Sequence, residues 1–168
     1  VAFIQSIPYR GKIYCHEMGY RLSGGMIYKI TNPLMNINDM KMMLRYALGE
    51  KLITSDEIEK IRLKHTDMVM AQLMIPLDCG IIHSIDGLDE ILEMDSIVDF
   101  LQYYKVGDSI VPEVIGTLGQ HFGRFTLKAK CKEEMISVVK GIQDKLLIKN
   151  TMGEDMYSMK FDINRLNG

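Results

Sequence analysis

The stretch HEMGYRLSGG sets a carboxylate at Glu17, a guanidinium at Arg21 and a glycine pair at Gly24 and Gly25. Taken alone, E-x-G-x-R-x-x-G-G reads equally well as a surface ion pair running into a glycine turn. Gln5 changes the reading, because it lies twelve positions before Glu17 on the partner strand of an expected hairpin. Residues so spaced around a central turn can project from one face. A carboxamide oxygen and a carboxylate converging there supply hard oxygen ligands. Mg²⁺ takes few protein oxygens of this kind and completes its shell with water and substrate phosphates. An arginine just beyond meets phosphate or carboxylate oxygens two at a time. The chemistry on offer is the handling of phosphate with a metal ion.

The elements that must position these groups follow from periodicity. VAFIQSIP and KIYCHEMGYRL read as strands, and the YRGK between them is a hairpin connection. Alternation puts Ile13, Cys15 and Glu17 on one face and Tyr14, His16 and Met18 on the other, with Glu17 ending a half-buried face. SGG breaks the second strand, and the Pro33 and Asn/Asp cluster of NPLMNIND can start a helix. NINDMKMMLRYALGE then carries Met40, Met43, Leu44, Ala47 and Leu48 as a helical stripe stopped by Gly49. Thr54 with Glu57 three residues on forms a capping box, which predicts an amphipathic helix over about 55–65 whose charges make a solvated face.

From about residue 67 strands and turns dominate. MVMAQLMIPL is an apolar strand, GIIHSIDGLDEILEM a strand, turn and short helix, and SIVDFLQYYKVGDSIV one or two strands around a Gly-Asp turn. GRFTLKAKCKEEMISVVKGIQDKLLIKN is a strand and a long helix, with Met135, Val138, Val139, Ile142 and Leu146 spaced for one face. The expected fold class is α+β with largely antiparallel sheets. The expected divisions are residues 1–50, a connecting helix over 51–66, and a small α+β domain over 67–168.

Composition narrows the function classes. The 168 residues are 47% apolar and 25% charged, as in soluble globular proteins. The net charge of −2 comes without a basic stripe, so a nucleic-acid partner is not expected. No apolar run approaches the roughly 20 residues of a membrane span. Three cysteines, Cys15, Cys79 and Cys131, with no C-x-x-C, make neither a disulfide framework nor a thiol zinc site, and point to a reducing, cytoplasmic setting. His16, His65, His83 and His121 are scattered without ligand spacing. Asp86, Asp89, Glu90 and Glu93 do not follow an EF-hand loop and read as solvated acids. The chain opens on Val1 inside an apolar run, which suggests a piece of a longer protein.

The hairpin with Gln5, Glu17 and Arg21, followed by a glycine turn and a helix ending in LG, resembles the end of the ATP-binding domain in the ATP-grasp superfamily. The likeness is strongest to the carbamoyl-phosphate synthase large chain and related carboxylate–amine ligases, including L-amino acid ligase-like enzymes. That resemblance implies a metal-binding role for Glu17, with Gln5 assisting, and places Arg21 as the motif arginine at the transferring phosphate. It implies ATP and Mg²⁺ as cofactors and an acyl-phosphate route. Gly19 departs from the pattern, since many members carry an Asn metal ligand there. Either the second ion is then held by water or substrate, or one ion alone binds well. The later segment beginning GRFTL is similar to the small C-terminal domain of several such ligases.

The resemblance also implies that a glycine-rich lid and phosphate-binding lysines lie upstream of such a hairpin. The chain itself holds no G-x-x-x-x-G-K-[ST] to replace them. The expectation is therefore a C-terminal fragment of a ligase, inactive by itself, whose partner is the upstream part of the same polypeptide. Its substrates would be a small-molecule carboxylate and an amine. Family members are often dimers, which leaves a homodimer open. The competing expectation is a non-catalytic α+β module that binds a ligand or a partner.

Overall fold

In the computed structural model, residues 2–61 and 68–167 are described. The chain divides into two compact units, Val1–Thr66 and Asp67–Gly168.

The first unit opens with β1 (Phe3–Tyr9) and β2 (Lys12–Gly19), paired antiparallel as a two-stranded sheet. Arg10 and Gly11 close it with φ of 48° and 72°. Two successive positive φ values make the kind of tight turn whose twist suits a hairpin, and glycine takes the second without strain. Beyond Gly19 the chain leaves the ladder, so the second strand stops short of Leu22. Helix α1 (Tyr28–Met35) follows, with Pro33 inside it, and ends at Asn36 in the left-handed region. This helix was not expected, because a proline within an eight-residue segment masks its helical signal. Helix α2 (Asp39–Ala47) is capped by Asn38, whose side chain accepts the Lys41 N–H at 2.9 Å. The apolar stripe is largely open here: Leu44 and Leu48 are 59% and 74% exposed.

Helix α3 (Ser55–Lys60) has the capping box at Thr54 and Glu57 that its sequence implies. Residues 62–67, including His65 and the rest of the expected connecting helix, lie outside the described residues. Glu57 does more than cap. Its carboxylate accepts two hydrogen bonds from Arg45 Nη1, at 2.9 and 2.7 Å, tying α2 to α3. The Arg45 bond, followed by the Thr54 backbone N–H, holds the Glu57 carboxyl at about 2.

The second unit holds two antiparallel three-stranded sheets. One has the order β3 (Val69–Pro76), β7 (His121–Ala129), β5 (Ile97–Gln102), with β7 central. The other has the order β6 (Ser109–Ile110), β4 (Gly80–Asp86), β8 (Leu147–Asn150). Helix α4 (Leu88–Leu92) follows β4, and α5 (Lys132–Lys145) runs from β7 to β8. The face predicted for α5 is the buried one, with Ile142 and Leu146 fully enclosed and Met135, Val138 and Val139 close to it. These pack with Leu73, Ile75, Phe125 and Leu127 of the first sheet and Ile82 and Ile148 of the second. Phe100 stacks on Phe125 at 4.2 Å. Buried Gln143 secures the C-terminal segment, accepting the Phe161 N–H at 2.6 Å and donating to the Phe161 carbonyl at 3.2 Å. The α+β class with antiparallel sheets is as expected.

Candidate functional site

The hairpin end opposite the turn brings the expected residues together through a β-bulge. From the turn, Tyr9 pairs with Lys12, Pro8 with Ile13, Ile7 with Tyr14 and Ser6 with Cys15. Continuing that register would set Gln5 opposite His16 and put Glu17 on the far face. Instead the register shifts between Gln5 and Ser6, and Gln5 pairs with Glu17. Two residues of β2, His16 and Glu17, thus oppose one residue of β1. The expected faces are corrected accordingly: Cys15 and Glu17 no longer share a face, and His16 no longer lies away from Glu17. The imidazole demonstrates this, since His16 Nε2 lies 3.2 Å from Gln5 Oε1. As a carboxamide oxygen only accepts, Nε2–H is the donor in that pair.

Beyond the bulge Phe3 pairs with Gly19. A Cβ on residue 19 would lie 2.8 Å from Phe3 Cζ, so the phenyl ring occupies the space of any side chain there. The Arg21 guanidinium sits over the same ring, 4.8 Å from its centroid, in cation–π contact. Its Nη1 donates to the Leu22 carbonyl at 3.1 Å, and its Nη2 stands 4.0 Å from Glu17 Oε1. Side-chain exposure is 63% for Arg21 and 48% for Glu17, so this pair is wet and weak as an ion pair. The half-buried face expected to end at Glu17 is in fact open on both sides, with Ile4, Ile7, Ile13 and Met18 each more than half exposed.

The donor chemistry suits a hard divalent ion. Glu17 and Gln5 offer a carboxylate and a carboxamide oxygen, with Arg21 beside them to meet phosphate. Among the described residues no three His, Cys, Asp or Glu side chains gather as a metal cage. An ion here would therefore draw its remaining ligands from water and phosphate, as Mg²⁺ commonly does. The structure sets Gln5 opposite Glu17 with Arg21 nearby, and adds His16 and Phe3 as neighbours that the sequence did not single out. The bulge brings His16 beside Gln5 on the exposed strand, and no local residue pattern announces a bulge.

The other candidates are not drawn together. His121 lines a cavity of about 780 Å³ with Gln72, Gln120 and Lys160, and its Nδ1 is engaged by the Leu118 carbonyl. Cys131 is the N-cap of α5, its Sγ accepting the Glu134 N–H at 3.5 Å. The three cysteines are free and exposed. No helix among the described residues is long and apolar enough to cross a membrane.

No protein-family model and no curated protein matches this chain. Solved structures do. An L-amino acid ligase from Bacillus licheniformis matches with a TM-score of 0.72 at 23% identity, over 89% of this chain and 36% of that one. A phosphoribosylglycinamide synthetase from Anaerococcus prevotii matches with a TM-score of 0.73 at 15% identity, over 89% of this chain and 37% of that one. The chain shares the fold of the corresponding part of these two structures. It spans little more than a third of the length of the two structures it matches. The likeness extends over 89% of the chain, and so into both units, and at these identities it speaks for the fold.

Proposed function

We propose that this chain is the C-terminal portion of an ATP-dependent carboxylate–amine ligase of the ATP-grasp type, akin to the carbamoyl-phosphate synthase large chain. In the proposed reaction a carboxylate oxygen attacks the γ-phosphorus of ATP, releasing ADP and leaving an acyl phosphate. An amine then attacks the carbonyl carbon and phosphate departs. The observation that carries the reading is the pairing of Gln5 with Glu17, with Arg21 alongside, on a fold shared with an L-amino acid ligase.

In this reading Glu17 and Gln5 hold the cation that sits among the phosphates, and the ion when bound neutralises their charge. Arg21, braced on Phe3, balances charge on the transferring phosphoryl group or on the acyl phosphate. The lid and the lysines that reach the other phosphates belong to the upstream part of the same polypeptide. That part would also cover the open apolar residues of the hairpin and the exposed stripe of α2, a surface of the kind that marks an interaction site. The isolated chain is accordingly inactive, and its setting is cytoplasmic.

The test is Glu17→Gln in the complete ligase. The substitution keeps size and hydrogen bonding but removes the charge that binds the ion. Mg²⁺-dependent ATP turnover is expected to fall to background, with the far-ultraviolet circular dichroism unchanged. Turnover at the wild-type rate would remove Glu17 from the mechanism.

A further inference from the structure

We propose that the cation at this hairpin takes a third protein donor from His16 Nε2. The site would then offer a carboxylate, a carboxamide and an imidazole, and prefer first-row ions such as Mn²⁺ over Mg²⁺. The proposal rests on the reading of Glu17 and Gln5 as cation ligands and adds a residue that alternation had sent to the opposite face.

Three observations carry it. First, the bulge gives Gln5 two partners on β2 where a regular ladder would give one, and those two are His16 and Glu17. Second, His16 Nε2 and Gln5 Oε1 are 3.2 Å apart on an exposed surface. Neighbouring donors on an octahedral ion with bonds of about 2.1 Å stand about 3 Å apart, so the two atoms already keep the spacing of ligands to one ion. Third, residue 19 cannot serve as the further donor. It is glycine, and the Phe3 ring fills the space that its side chain would need.

In the ion-free pairing Nε2–H donates to Gln5 Oε1. To bind an ion, Nε2 must present its lone pair, which places the ring proton on Nδ1. An exposed imidazole exchanges between these tautomers through solvent. A nitrogen donor then changes what the site selects. All-oxygen sets suit Mg²⁺, while imidazole suits first-row transition ions, among which Mn²⁺ also accepts carboxylate and phosphate oxygens.

The experiment uses this chain and Mn²⁺ alone. Ion uptake is followed by the loss of the free-Mn²⁺ electron paramagnetic resonance signal at millimolar metal. Coordinated nitrogen is detected by ¹⁴N modulation of the electron spin echo. Wild type is expected to bind Mn²⁺ with clear ¹⁴N modulation. His16→Gln, on an exposed strand position where folding is not at risk, is expected to lose that modulation and bind Mn²⁺ at least about tenfold more weakly, with a smaller change for Mg²⁺. Glu17→Gln is expected to abolish uptake.

Uptake that depends on Glu17 but carries no ¹⁴N modulation, or keeps it in His16→Gln, overturns the His16 ligand and leaves the hairpin ion site standing. Uptake indifferent to Glu17→Gln overturns the underlying assignment of Glu17. Absence of uptake by wild type also overturns the proposal, since a carboxylate, a carboxamide and an imidazole acting on one ion hold Mn²⁺ at these concentrations without a nucleotide.

Discussion

Gly19 lacks a side chain because a phenyl ring stands in its place. Phe3 pairs with it across the hairpin, and the same ring supports the Arg21 guanidinium at 4.8 Å. The glycine and the arginine of the HEMGYR stretch are thus coupled through a residue sixteen positions upstream of Gly19. An aromatic side chain set against a glycine across two strands is a known way to fill the gap that glycine leaves. Gly19→Ala should push the ring aside, since the ring is only partly buried and free to swing. Little stability should be lost. The upfield ring-current shifts of the Arg21 side-chain protons should disappear from the NMR spectrum. Retained shifts in the variant would show that Phe3 does not brace Arg21. The pair Gly24 and Gly25, prominent in the sequence, carries less: neither has a positive φ, and the left-handed residue of that turn is Met26 with φ 51°.

At the scale of elements, the join between α2 and α3 depends on one carboxylate. Glu57 caps α3 and binds Arg45 of α2, so a residue read as part of a solvated face links two helices. Its pKa sets the acid behaviour of that join. The folded value, about 2, lies below the ordinary 4.5, so the stabilisation is fully present above about pH 4.5 and is lost as pH falls through about 2. Titration of the Glu57 side-chain carboxyl carbon by NMR should give a midpoint near that low value. The helical dichroism of the first unit should fall over the same acid window. Arg45→Met should return the midpoint toward 4.5, and an unchanged midpoint would exclude Arg45 as its cause. Elsewhere the elements follow local rules. The capping box, the Asn38 cap and the buried face of α5 lie where residue spacing puts them, because each is set within a few positions of the chain. The bulge in β2 and the helix across Pro33 do not, since both depend on more than local pattern.

For the whole molecule, burial is uneven. Among the described residues every fully enclosed apolar side chain belongs to the second unit, and the first has none. A two-stranded hairpin with both faces in water is marginal alone. Amide hydrogen exchange should therefore find β1 and β2 little protected, while β7 and α5 exchange only through global opening of their unit. Ile142→Ala, at a fully buried site, should lower the stability of the second unit by about 2–5 kcal/mol in denaturant titrations and raise exchange across β7 and α5. The hairpin amides should keep their rates. Calorimetry adds a functional counterpart. The chain by itself, at micromolar concentration, should show no ATP binding, because the hairpin presents only one wall of the proposed site. Measurable heat would place the nucleotide elsewhere in this chain.

The sequence by itself determined the donor types at Gln5, Glu17 and Arg21, the hairpin turn, the caps, the strand and helix order of the second unit, and the face of α5 that is buried. All of these depend on residue type and on spacing within one element. Tertiary structure alone decided that Gln5 pairs with Glu17, that the His16 imidazole meets Gln5, and that Phe3 closes the space at Gly19. A one-residue bulge reverses the side-chain faces of a strand beyond it, and whether one forms depends on pairing between strands rather than on either strand alone.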